Sequence, residues 1–354
     1  MPELAVLAEQ LLAPVPGGTG RYTRELITAM AQCAPKGWTV TGVSAKHRTA
    51  VEIPGVATRA LPLPRRALTA AWEHGIKLWP GGDAVHAPTP LAPPASRKGT
   101  LVVTIHDTVP FTHPETLTPR GAAWHQAMIK RATRQANAIV VPTAAVAEEL
   151  KEYAPGPAKV HIVGHGVSQV VLNTPADADQ IAERLKLPAN YVLALGTVEP
   201  RKGLDVLVKA LACPGAPDLP LVIAGPAGWG DVNITGLGHL TDEELAVVLR
   251  RATVLAAPSL AEGFGLPVLE AMAVGVPVVH SDAPALVEVA GGTGVVARRN
   301  DPEALAEALR TVVEFPERTA ARVQAAKVRA AGFTWAKAAE SVWELHLDLR
   351  GAGE

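Results

Sequence analysis

Cysteine is almost missing from this chain. Cys33 and Cys213 stand far apart in 354 residues and in no CxxC pair, which excludes a disulfide framework or a cysteine zinc site. Aromatic side chains make up only 4%, so the cores must be aliphatic, as in α/β packing. The longest uncharged apolar runs, 252–261 and 271–279, fall short of the ~20 residues that span a bilayer. Met1-Pro2-Glu3 opens no basic n-region, long apolar stretch or cleavage site, so a cytoplasmic, soluble protein is expected. An overall excess of one charge is lacking too, with 33 Lys+Arg against 34 Asp+Glu, and nucleic acid is not an expected partner.

The two halves nevertheless differ. Residues 1–172 carry 17 basic and 11 acidic side chains, and residues 173–354 carry 16 and 23. A basic first half suits either phosphate groups or an anionic membrane face, and equally an ordinary solvated surface. Arg65, Arg66, Lys130, Arg131 and Arg134 are the candidate contacts for peripheral association at the inner membrane face.

The chain is long for one core, and its apolar pattern starts twice. Short apolar runs at 4–7, 39–43, 84–86, 101–105, 138–141 and 160–163 read as buried parallel strands. Amphipathic stretches at 21–31 and 122–135 lie between them. After a polar break at 167–188 the runs return at 191–195, 219–224, 254–257 and 277–280, with helices expected at 204–211, 242–251, 267–274 and 302–313. Such alternation predicts an α/β protein with two doubly wound, Rossmann-like parallel sheets. The expected domains are 1–172 and 173–333, with a last helix at 334–349 packing back on the first.

One segment carries the most chemistry: Glu262-Gly263-Phe264-Gly265-Leu266-Pro267-Val268-Leu269-Glu270. Pro267 suits the first turn of a helix, where its missing N–H costs nothing. Gly263 and Gly265 bare the backbone just before that turn, where exposed N–H groups favour a phosphate. Glu270, one turn in, suits the hydroxyls of a ribose, and Glu262 the rest of such a ligand. An ordinary loop with a capping carboxylate is the plainer alternative.

Two glutamates eight positions apart around Gly-Phe-Gly-Leu-Pro resemble the signature of family 4 retaining glycosyltransferases, which have the GT-B fold. Gly196-Thr197-Val198-Glu199-Pro200-Arg201-Lys202-Gly203-Leu204-Asp205 resembles the family's donor phosphate motif. It follows a strand and carries adjacent cations, as a diphosphate leaving group requires. Pro16-Gly17-Gly18-Thr19-Gly20-Arg21-Tyr22 resembles the first Gly-rich loop. Thr104-Ile105-His106-Asp107 resembles the strand end that directs a histidine toward the transferred sugar, and His86 has a similar placement. Ile223-Ala224-Gly225-Pro226 and Thr235-Gly236-Leu237-Gly238-His239-Leu240 resemble segments flanking the nucleotide base.

The resemblance implies two domains facing a central cleft, the first on the acceptor side and the second binding a nucleotide sugar. It implies a retaining, metal-independent transfer of a hexose, mannose from GDP-mannose as the first expectation, to a glycan or lipid-linked hydroxyl in polysaccharide biosynthesis. His106, Arg201, Lys202 and Glu262 would be catalytic. Gly18, Gly20, Gly225, Leu240, Phe264, Gly265, Leu266 and Glu270 would bind the donor. No cofactor or metal is expected, and Asp177-Ala178-Asp179 reads as a solvated turn or helix start rather than a metal motif. The alternatives are an epimerase or phosphorylase of the same architecture and a non-catalytic scaffold. A dinucleotide dehydrogenase is disfavoured because no full GxGxxG follows a strand.

Overall fold

A computed structural model describes residues 1–97, 99–226 and 236–351. The chain forms two units, Met1–Gly166 with Thr334–Glu354, and Val167–Phe333.

Seven parallel strands build the first unit's sheet: β1 (Glu3–Leu7), β2 (Thr39–Lys46), β3 (Ala57–Pro64), β4 (Ala84–Ala87), β5 (Thr100–Thr104), β6 (Ala138–Val141) and β7 (Lys159–Ile162). Their order is β3-β2-β1-β4-β5-β6-β7. In β1, Leu4 and Val6 enter a core with Tyr22, Leu26 and Met30, while Ala5 and Leu7 enter another with Leu68, Trp72 and Ile129. Side chains alternate across a strand, so a sheet covered on both faces needs an unbroken apolar run. The edge strand β3 breaks that rule. It is mostly exposed and holds Pro62 and Pro64, which an edge tolerates, so it shows no buried run in the sequence.

One face is closed by two helices distant in sequence, Gly17–Gln32 and Trp335–Gly351. Trp343 on the second donates its indole N–H to the Met30 carbonyl on the first at 2.9 Å. Its ring meets Trp38 edge-on at 5.4 Å. The chain leaves this unit at Gly166 and returns at Thr334. A Cβ on Gly166 would lie 2.2 Å from the Trp335 backbone nitrogen and 2.6 Å from the Thr334 carbonyl carbon. Only glycine lets the outgoing and returning segments touch in this way.

The second unit carries β8 (Val192–Leu195), β9 (Leu221–Ala224), β10 (Val254–Ala257), β11 (Val278–Ser281) and β12 (Val295–Ala297), ordered β12-β11-β10-β8-β9. Leu193, Leu255 and Val278 line a core with Leu269 and Met272, and Val192, Val254 and Val279 another with Leu207 and Leu309. Helix Asp242–Arg250 starts on a capping box, Thr241 accepting from the Glu244 N–H while Glu244 accepts from the Thr241 N–H; such a cap contributes about 1 kcal/mol. Helix Leu266–Val274 is bounded by Gly265 and Gly275, both left-handed at φ 91° and 83°, with Pro267 in its first turn. Asp177 precedes helix Ala178–Arg184, and Asp179 pairs with Arg251. No described helix is long and apolar enough to cross a membrane.

Candidate active site

In an open parallel sheet, ligands bind beyond the carboxyl ends of the strands, where the strand order reverses. In the second unit that point is β8, which pairs with β9 on one side and β10 on the other. The two motif loops, 196–203 after β8 and 258–265 after β10, leave the sheet there.

The sequence folds these loops into one another. Gly196 takes φ 132° and Gly225, after β9, takes φ 153°. A Cβ on Gly225 would stand 2.0 Å from the Gly196 carbonyl oxygen. Pro200–Lys202 forms a single 3-10 turn ended by left-handed Gly203, whose missing Cβ makes room for the Pro258 carbonyl, 2.4 Å from where it would stand. The Leu260 N–H then donates to the Arg201 carbonyl at 2.8 Å.

This join brings Arg201 and Lys202 onto Glu262. Arg201 reaches Glu262 at 3.0 Å, Glu199 at 2.6 Å and the Ala261 carbonyl at 2.9 Å. Lys202 Nζ donates to Glu262 at 2.6 Å, and Ser259 Oγ to the same oxygen at 2.8 Å. Burial alone would push the Glu262 carboxyl up, but Lys202, Arg201 and Ser259 together hold it down at about 2. The result is a fixed pair of cations held by two carboxylates, Glu199 and Glu262. Further out, the Ser281 hydroxyl bonds the Ser259 carbonyl at 2.5 Å, and Arg299 holds the Leu260 carbonyl at 3.0 Å and Asp282 at 2.7 Å. Glu199 and Ser259 are partners that sequence reasoning did not assign. Glu199 lies inside the quoted motif, whereas Ser259 and Arg299 gain their roles only from the fold.

The other residues expected to bind a donor are placed in different ways. The side chains of Phe264 and Leu266 lie in the core. Gly265 caps the helix whose buried Glu270 lies one turn in. Leu240 packs partly against the same core. Thr235 lies outside the described residues.

Gly18, Gly20 and His106 belong to the first unit. A short 3-10 turn, Glu9–Leu12, intervenes between β1 and the Gly-rich segment, so the helix does not follow the strand directly. Gly20 is needed where it stands, since its Cβ would meet that of Pro16 at 2.4 Å. Gly18 is exposed in the helix's first turn. His106, just past β5, shares Nε2 with the Pro88 carbonyl at 2.8 Å and lies 4.6 Å from the Tyr22 ring, edge to face. Of the basic surface contacts, Arg131 drops out: its guanidinium is tied to the carbonyls of Trp72 and Glu73. Arg65 leans on Glu9 at 3.5 Å, and Lys130 sits over the Phe111 ring.

The first unit also buries His86, His106, His165 and His346, and burial lowers the affinity of each for a proton, taking His346 to about 3. An unfolded histidine titrates near ~6.5. A base whose folded value is depressed lends stability above its unfolded value, and loses it as pH falls below. Thermal melts should therefore show Tm falling from pH 7 toward pH 5, before Glu262 begins to protonate in the unfolded chain. A flat Tm over that range would contradict the buried, neutral placement of these rings.

A parallel sheet with held cations and a helix N-terminus at its switch point is an arrangement suited to a phosphate-bearing ligand. Comparison with known proteins agrees. The model of Glycosyltransferase Family 4 matches residues 16–171, and that of Glycosyl transferases group 1 matches residues 175–329. The chain is 30% identical over 351 residues to a D-inositol 3-phosphate glycosyltransferase of Streptomyces scabiei, covering 86% of this chain and 77% of that protein. It is 36% identical over 155 residues to O-antigen chain mannosyltransferase B of Escherichia coli, covering 39% of this chain and 41% of the relative. Sucrose-phosphate synthase from Thermosynechococcus elongatus shares the fold, with TM-score 0.79 and 22% identity over 99% of this chain and 100% of that one. The chain belongs to family 4 of the glycosyltransferases, with the α/β units of the GT-B fold. It spans about half the length of the relatives it matches over shorter stretches, 41%, 59% and 57%.

Proposed function

We propose that this chain transfers a hexose, mannose first, from a nucleoside-diphosphate sugar to a hydroxyl of a glycan or lipid-linked acceptor, with retention and without a metal. The observation that carries the reading is the Arg201–Lys202–Glu262 cluster at the switch point of the second sheet. Two held cations beside a helix N-terminus suit the charge that grows on a departing diphosphate. They would supply what a divalent ion supplies elsewhere. Glu270 would accept from the ribose hydroxyls, and backbone N–H groups at 264–266 would meet the phosphates. His106 would serve the transferred sugar.

In this reading the bond between the anomeric carbon and the diphosphate oxygen breaks, and the acceptor oxygen attaches on the same face. The acceptor's proton passes to the leaving oxygen. No carboxylate is needed as a nucleophile, since Glu262 is already committed to two cations and a hydroxyl. Mannose is favoured by the likeness to the E. coli mannosyltransferase; the inositol-phosphate relative favours a phosphate-bearing acceptor. The test is thermal stabilisation by a panel of nucleotides and nucleotide sugars, followed by transfer assays in chelator. GDP and GDP-mannose should raise Tm most, and chelator should leave transfer intact. Stabilisation by uridine nucleotides alone would replace the donor, and a strict metal requirement would overturn the ionic account of the leaving group.

A further inference from the structure

Behind His106 lies a line of polar side chains that this mechanism does not use. His346, on the last helix, places Nε2 at 3.4 Å from His86 Nδ1. His86, on β4, places its own Nε2 at 3.0 Å from the Thr104 hydroxyl at the end of β5. Thr104 is in turn 3.0 Å from the Tyr22 hydroxyl, and the Tyr22 ring rests against His106. His86, Thr104 and His346 are fully buried and Tyr22 is 1% exposed.

The proton positions along this line follow from one end. His346 Nδ1 is buried with no hydrogen-bond partner, and an orphaned N–H is rarer than an orphaned acceptor. The His346 proton therefore sits on Nε2 and is donated to His86 Nδ1. His86 must then carry its proton on Nε2, donated to Thr104. The two histidines thus donate in one direction, from His346 through His86 to Thr104, and both are neutral, which matches the downward pull of burial on both rings. At the far end, the His106 N–H on Nε2 donates to Pro88, two residues beyond His86. The His106 tautomer therefore lasts only while its ring stays turned toward Pro88, just past β4, and the Tyr22 ring is packed edge-on against it.

An apolar line of the same shape would pack as well and cost less, because a partly satisfied polar chain gains nothing in stability over hydrocarbon. What it adds is a single arrangement. We infer that His346, acting through His86, Thr104 and Tyr22, is a positioning residue that holds the His106 ring in one orientation and one tautomer, with Nδ1 as its lone-pair nitrogen. The inference rests on the proposed role of His106 only for its effect on catalysis; the geometric coupling is independent of that role.

Three variants test it: His346→Leu removes the first donor, His346→Gln keeps an N–H in the Nε2 position, and Tyr22→Phe removes only the hydroxyl. Long-range proton–nitrogen NMR of the imidazoles reads the His106 tautomer directly. The wild type and His346→Gln should show the Nε2–H form, whereas His346→Leu and Tyr22→Phe should show averaged nitrogen shifts. Transfer by the two disrupted variants should fall about tenfold in kcat, with donor KM within about twofold, and His346→Gln should recover it. Tyr22→Phe keeps the ring and decides the matter if His346→Leu does not fold. An unaltered His106 tautomer in Tyr22→Phe, or loss of both tautomer and kcat in His346→Gln, would overturn the inference. Full activity in His106→Ala together with the tautomer change would instead remove the catalytic role of His106 and leave the positioning intact.

Discussion

Alanine at both Arg201 and Lys202 should lower kcat/KM by about a hundredfold or more while leaving the fold in place. Each side chain offers charge-assisted bonds of the kind worth about 1.5–3 kcal/mol. The groups they would neutralise gain charge as the sugar leaves, so the loss should appear in kcat as well as in donor affinity. The same variant strands Glu262. Its carboxyl, held at about 2 by the two cations, would keep only Ser259 and should rise as burial takes over. Glu262→Gln should partly restore stability to that variant without restoring turnover. Arg201→Lys is not conservative, because one ammonium cannot span Glu199, Glu262 and the Ala261 carbonyl as the guanidinium fork does. Steady-state kinetics with circular dichroism on each variant checks the set, and near-wild-type turnover in the double variant would remove the cations from the leaving-group role.

Gly225→Ala is the second large effect, and it comes from one methyl group. The added carbon would sit 2.0 Å from the Gly196 carbonyl oxygen, at a φ of 153° that side chains rarely adopt. Backbone is on the other side of that contact, so no rotamer change relieves it. The cost should be about 2–4 kcal/mol of folding stability. Relief must come from parting the loops after β8 and β9, so donor binding should be lost together with stability. Gly238→Ala is the control. Its φ is also positive, at 72°, but a Cβ there meets nothing within 4 Å, so only the ~1 kcal/mol of left-handed strain applies. Urea denaturation and nucleotide titration of the pair separate close approach from backbone strain; equal losses in the two variants would argue against the contact.

The parts of this molecule legible in its sequence are those in which neighbours along the chain do the same work. The central strands are covered on both faces, so their residues form continuous apolar runs. Helix Leu266–Val274 announces itself by Gly265 and Pro267, and helix Leu204–Leu211 by its amphipathic spacing. The edge strands β3 and β12 do not show, one because it is exposed and proline-bearing, the other because Val295–Ala297 is too short to make a run. Helix Pro316–Ala330 is largely exposed and alanine-rich, so it has no clear apolar stripe. At the site, the Glu262 loop was marked by Gly263, Gly265 and Pro267, and the Arg201–Lys202 segment by its likeness to a family motif and its place after a strand. Their mutual pairing was not legible, since about sixty residues separate them. The connection from His346 to Tyr22 was not legible: its members occur in four elements, and although His86 and Thr104 stood in segments of interest, nothing in the sequence joins them.

The contact between Gly166 and Trp335 also bears on the order in which the molecule is made. The second unit is one uninterrupted stretch, Val167–Phe333, and has all of its strands and helices once the ribosome has passed that point. The first unit, although it emerges earlier, lacks the helix that covers Tyr22, Leu26 and Met30 until Trp335–Gly351 has been synthesised. Domains generally fold as units, N-terminal first; here the later unit can finish while the earlier one still has an uncovered apolar face. A nascent chain paused before residue 334 would hold a complete second unit and an incomplete first one, and that interval is when a chaperone would have most to bind.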